Sequence, residues 1–176
     1  NQLSTFLREA RAAGSNLMQR QTQLNLGQTE LQQKKDKKEA RKVFETLADK
    51  TMSFIEAQKK GLVSPEANPV YQYYWNEMRG ENLGVQFDLE TSKAYNTSGL
   101  NNALDPTGFD DWFNKRKSNF IESNKGILNH KGAFEIFNGQ TKSTFNSLAN
   151  IHKAQVSANF VNDTKVQQTN LVLNRL

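Results

Sequence analysis

The chain has 176 residues, of which 36% are hydrophobic, 10% aromatic and 23% charged, with a net charge of +5. Its mean hydropathy is -0.77. The length suits one domain, and the aromatic content with only three prolines and ten glycines excludes collagen, a Pro-rich linker and a simple charged tail. The absence of cysteine excludes a disulfide framework, a thiol nucleophile and cysteine-ligated zinc. No apolar run approaches the ~18 residues of a bilayer span, and no signal peptide is visible.

Two further features of composition matter. Roughly a fifth of the residues are Asn or Gln, and the charge is unevenly spread. Residues 1–60 carry about +5, residues 61–130 about -3 and residues 131–176 about +3. A basic-acidic-basic chain suits neighbour-to-neighbour assembly, or contact with nucleic acid through its ends. The chain begins with Asn1 rather than Met, and it is expected to be a piece of something longer.

In chain order, Leu3, Phe6, Leu7, Ala10, Ala13 and Leu17 recur at helical spacing. The stripe then thins to Leu24, Leu26 and Leu31 among Gln and Lys. It returns with Phe44, Leu47, Ala48, Thr51, Phe54 and Ile55, a face at i, i+3, i+4 and i+7. From Gln28 to Lys60 there is neither Gly nor Pro, so this stretch is expected as one long helix. Gly61 and the segment from Ser64 to Pro69 end it. Asn68-Pro69 starts a short helix carrying Tyr71, Tyr74, Trp75 and Met78, closed by Arg79-Gly80. Glu81 to Asn96 reads as helical and Thr97 to Leu104 as loop.

Asp105-Pro106-Thr107-Gly108 opens a helix with Phe109, Trp112, Phe113, Phe120 and Ile121. Asn124 to Gly132 makes a turn. A last long helix runs from about Ala133 to the end, amphipathic through Phe134, Phe137, Phe145 and Leu148. Beyond Ile151 its stripe narrows to Ala154, Ala158, Val161 and Val172. The expected fold is all-α: a helical arm over 1–61, a compact aromatic region over 62–132 and a polar helix over 133–176. A helix polar on nearly all faces is not stable alone. The arms are therefore expected to find neighbours in a ring or tube, with Asn150, Gln155, Asn159 and Asn162 facing a lumen or a neighbouring subunit.

Little in the sequence points to catalysis. His130 and His152 have no zinc-binding spacing, and neither a phosphate loop, a dinucleotide-binding turn nor a nucleophile elbow is present. Glu122-Ser123 followed by Gly132-Ala133 faintly resembles elements of lytic transglycosylases. The spacing is short, however, and Glu135-Ile136-Phe137-Asn138 replaces the segment that follows in those enzymes. No catalytic residue, metal or cofactor is expected. The densest basic run supplies Lys34, Lys35, Lys37, Lys38, Arg41 and Lys42 as candidate phosphate contacts. Lys115-Arg116-Lys117 beside Trp112 and Phe113 is a second basic cluster.

From about Lys37 to Gln155 the layout resembles the middle-sized internal core protein of T7-like short-tailed phages. The succession is a charged helix over Lys37 to Lys60, Asn68-Pro69-Val70-Tyr71, then Met78-Arg79-Gly80-Glu81-Asn82. An acidic segment at Asp88 to Glu90, the turn at Asp105-Pro106, the start Phe109-Asp110-Asp111-Trp112-Phe113 and the long helix from Phe134 complete it. The resemblance implies a helical protein stored as rings inside the virion and ejected with the genome. It then reassembles with other internal virion proteins into a tube across the host periplasm, through which phage DNA passes. No small-molecule substrate is implied. Two other readings stand beside it: a non-specific nucleic-acid-binding helical module, and a generic helical scaffold.

Overall fold

The structure, a computed structural model, describes residues 2–67 and 69–176, with the backbone alone for residues 13–28. The expectations for Ala13, Leu17, Leu24, Leu26 and Asn68 therefore lie outside the described side chains. The chain is all-α. Among the described residues it forms helices α1 (Gln2–Glu45), α2 (Phe54–Lys59), α3 (Pro69–Thr97), α4 (Phe109–Ser123), α5 (Lys125–Leu128) and α6 (Lys131–Leu173). A 3-10 turn, Leu100–Asn102, lies between α3 and α4. Among the described residues no helix is long and apolar enough to cross a membrane.

The expected continuous helix to Lys60 breaks at Glu45, and side chains that compete for the backbone explain why. Lys50 Nζ donates to the Phe44 and Glu45 carbonyls at 2.8 and 2.7 Å, satisfying the open C-terminus of α1 with a cation. Asp49 then accepts from the Thr51 amide and hydroxyl at 2.8 and 2.6 Å, fixing a turn. Ser53 caps α2: its hydroxyl accepts from the Glu56 amide while Glu56 accepts from the Ser53 amide, both at 3.1 Å. Phe44, Leu47 and Phe54 are nevertheless buried together, because the turn brings them to the same core. Ala48, Thr51 and Ile55, expected on that face, are exposed.

The second correction concerns Arg79-Gly80, which does not close a helix. Helix α3 runs straight through it, with proline in its first turn. Gly80 is there because α6 needs the space: an added Cβ would stand 2.6 Å from the Ala133 Cα. One turn later, a Cβ on Gly84 would meet the Gln140 side chain. The two glycines at i and i+4 let α3 and α6 approach closely. In the expected turn over 124–132, α5 buries Ile127 and Leu128.

Two aromatic clusters form the core. Around Trp75 lie Phe44, Phe54, Tyr71 and Met78. Trp75 Nε1 donates to the Met52 carbonyl at 2.9 Å. The buried Arg79 donates twice to the Thr51 carbonyl, from Nε at 3.1 Å and from a terminal nitrogen at 2.8 Å. These bonds satisfy the turn that leads into α2. Around Phe87 lie Phe113, Phe120 and Phe137, with ring centroids 5.3 to 5.9 Å away and edge-on geometry.

The pairs between helices fix their sense. Lys37 meets Tyr74 and Arg41 meets Glu81, so α1 runs in the direction of α3. Gly80 meets Ala133, Gly84 meets Gln140 and Tyr95 meets His152, so α6 runs the same way. Lys117 meets Asn138 and Phe109 meets His152, so α4 runs against them. The last buried residue of α6 is Val156.

Candidate functional site

The beginning of α1 and the end of α6 project past the core. Ahead of Asp36, α1 extends about 50 Å, and past Val156, α6 extends about 25 Å. Because the two helices run in the same sense, these arms leave the core at opposite ends. On the first arm Leu3, Phe6 and Leu7 are exposed on one helical face. On the second, Phe160, Val161, Leu171 and Val172 are each at least half exposed. Phe160 and Leu171, like Val161 and Val172, are eleven residues apart, which places each pair within about 20° on an α-helix. A strip of apolar side chains thus runs along the distal part of α6 with Thr164 and Gln168 within it.

The four polar residues expected on this helix divide. Asn150 and Asn162 are exposed. Gln155 is exposed and donates to Asn159 Oδ1 at 3.0 Å. Asn159 turns inward: its Nδ2 donates to the Asn101 and Ala103 carbonyls at 2.7 and 3.0 Å. It fastens α6 to the 3-10 turn, within a single chain.

The basic run lies at the root of the first arm and has two faces. Lys37 sits over the Tyr74 ring, with Nζ 5.2 Å from the centroid. Arg41 pairs with Glu81 at 3.2 Å and Glu45 at 3.8 Å. Both are exposed, so these pairs are worth ~0–1 kcal/mol. Lys34, Lys35, Lys38 and Lys42 are exposed and form no ion pair among the described residues. At 100° per residue the four fall within an arc of about 100°, opposite the buried Asp36, Ala40 and Phe44. A face of four like charges is an electrostatic footprint suited to phosphates. The weaker second cluster is split, since Arg116 lies 5.5 Å from the Trp112 ring while Lys117 bonds Asn138 at 2.6 Å.

Glu122 is exposed and pairs with Lys125 at 2.8 Å. The histidines differ. His130 is exposed. His152 is buried, stacked on Phe109 at 5.3 Å, with Nδ1 2.9 Å from the Tyr95 hydroxyl. Burial raises the Tyr95 phenol above its ordinary value. Burial likewise lowers Arg79, against the opposing pull of Glu56 and Asp49. Both groups belong to the core. Sequence spacing does not signal either, because their partners are remote in the chain. No group of acidic and histidine side chains among the described residues is arranged to hold a metal ion.

Among the described residues, exposed apolar side chains on the two arms and a face of exposed lysines on α1 are the features of the arms. Comparison of the chain with protein-family models, with curated proteins and with solved structures returns no match.

Proposed function

We propose that the protein is a structural subunit that works by assembling with copies of itself, as an internal virion protein ejected with a phage genome. In this reading it is held in the virion interior and then forms a DNA-conducting tube across the host periplasm with other internal proteins. One observation carries the assembly: long helices continue past the core at opposite ends, with Phe6 and Leu7 on one and Phe160, Val161, Leu171 and Val172 on the other at least half exposed among the described residues. Helices of this polarity gain stability from neighbours rather than from propensity. The phage assignment comes from the succession of sequence features between Lys37 and Gln155. Exposed Asn150, Gln155 and Asn162 are suited to a wall that wets DNA without gripping it.

Light scattering with negative-stain imaging across a salt series tests the assembly. Closed rings or tubes of defined mass that persist at moderate salt are the expected result. A monomer under all conditions overturns it.

The exposed lysines at 34, 35, 38 and 42 favour a second reading, non-specific nucleic-acid binding. Its signature is an affinity for duplex DNA that falls steeply with salt. Assembly through apolar seams lacks that dependence.

A further inference from the structure

The groove between α4 and α6 has a chemistry that the assembly reading does not use. Its volume is about 310 Å³, and its rim carries Asn114 and Lys117 from α4 with Lys142 and Asn146 from α6. Phe113 and Phe145, edge-on at 5.1 Å, form the floor. Lys117 is half-buried, and its Nζ donates to the neutral Asn138 Oδ1 at 2.6 Å. Among the described residues no carboxylate stands within 4 Å of Lys117 or Lys142. Asp110 lines the groove too, but it is two helical turns from Lys117, about 10 Å along α4. Burial, and then the charge of Lys142, both lower the Lys117 ammonium from its ordinary value. Two lysines from facing helices thus line one groove over an apolar floor, with no carboxylate at ion-pair distance from either among the described residues.

We propose that this groove is a binding site for a phosphate group, with Lys117 and Lys142 as its cations and the Asn114 and Asn146 amides as hydrogen-bond donors. An ammonium offers three donors and acts on phosphate as a point charge. A phosphate oxyanion between the two lysines removes their repulsion and takes up donors that a single amide oxygen leaves free. A carboxylate has two oxygens in one plane, whereas the tetrahedral oxygens of a phosphate meet donors arriving from two helices. The site lies within one chain and does not rest on the assembly reading.

The test is a titration of the isotope-labelled protein with inorganic phosphate and, separately, with a short single-stranded oligonucleotide. The side-chain amide signals of Asn114 and Asn146 are the readout. Saturable shifts with either probe are expected, and affinity falls about tenfold in Lys142→Gln and in Lys117→Met, each removing one charge-assisted contact. Lys117→Met keeps the stem that packs between the helices, and Lys153→Gln, an exposed charge outside the groove, leaves binding unchanged. Shifts with both probes identify a nucleic-acid phosphate as a ligand. Shifts with phosphate alone keep the site and assign it to small phosphate compounds. Absence of saturable shifts with both probes overturns the proposal, as does equal affinity in the folded Lys142→Gln variant.

Discussion

Gly80 of α3 rests against the backbone of Ala133 in α6: a side chain at position 80 would collide with the Ala133 carbonyl oxygen and lie 2.6 Å from its Cα. Backbone cannot step aside as a flexible side chain can. Gly80→Ala is therefore expected to destabilise the fold by about 1–3 kcal/mol, the usual cost of overpacking, despite the better helix propensity of alanine. Gly139 gives the opposite sign. It lies inside α6 with open space where a Cβ would be. Gly139→Ala should stabilise by about 0.5–1 kcal/mol. Thermal or urea melts of the two variants check both directions.

Arg79 ties the turn after α1 to α3 through its two bonds to the Thr51 carbonyl. Arg79→Met keeps much of the buried stem and removes both donors. The expected loss is about 2–3 kcal/mol, because a charged donor is lost and its acceptor is stranded. Amide hydrogen exchange should accelerate over residues 46–53 before it does in α6.

Among the described residues Tyr95 makes the one hydrogen bond to the His152 ring, whose Nε2 is buried with no partner among them. Tyr95→Phe leaves both ring nitrogens bare. A cost of about 1–2 kcal/mol is expected, with a melting temperature lower by roughly 2–8 °C. An unchanged melting temperature would show that the bond contributes nothing net.

Acid should weaken the connecting turns first. Hydrogen bonds from the Thr51 hydroxyl and amide hold Asp49 below its ordinary value, and those from Thr107 do the same for Asp105. A carboxylate lowered in the folded state gives stability that is complete above its unfolded value, near pH 4, and is lost as pH falls through the folded one. Replacing both with Asn should flatten the stability profile below about pH 4 and leave its slope near neutrality unchanged. Chemical denaturation across that range is the measurement.

The arms can be tested apart from the core. Phe160 and Leu171 are exposed at 60% and 59%. Phe160→Glu with Leu171→Glu is expected to abolish any assembly seen by light scattering while shifting the melt of the core by less than about 0.5 kcal/mol, the ordinary range for surface changes.

Some of this fold can be read directly in one dimension. The helical spacing of Tyr71, Trp75 and Met78, and of Phe109, Phe113 and Phe120, identifies α3 and α4, because burial imposes a 3.6-residue period. Gly80 shows where that reading fails. Glycine marks a helix end and a close helix contact equally well, and only the facing Ala133 distinguishes them. The break after Glu45 did carry a local signal, Ser53 with Glu56 three residues on, but the apolar stripe across it outweighed the cap. Asn159 reads as a lateral contact by composition, whereas its amide is taken by Asn101 and Ala103, far away in the chain. Lys117 and Lys142 are likewise brought together only by the antiparallel packing of α4 on α6.

The common sense of α1, α3 and α6 has a consequence for any object built from this chain. Arms that leave opposite ends of the core allow two kinds of contact between the first arm of one copy and the last helix of another: a closed antiparallel two-fold pair, or a heterologous contact between copies that point the same way. In the second case growth would continue until rotation closes a ring or repeats as a helix. A heterologous assembly of this kind would have polarity, with one end framed by the start of α1 and the other by the end of α6. A conduit with unlike mouths can distinguish entry from exit without any moving part.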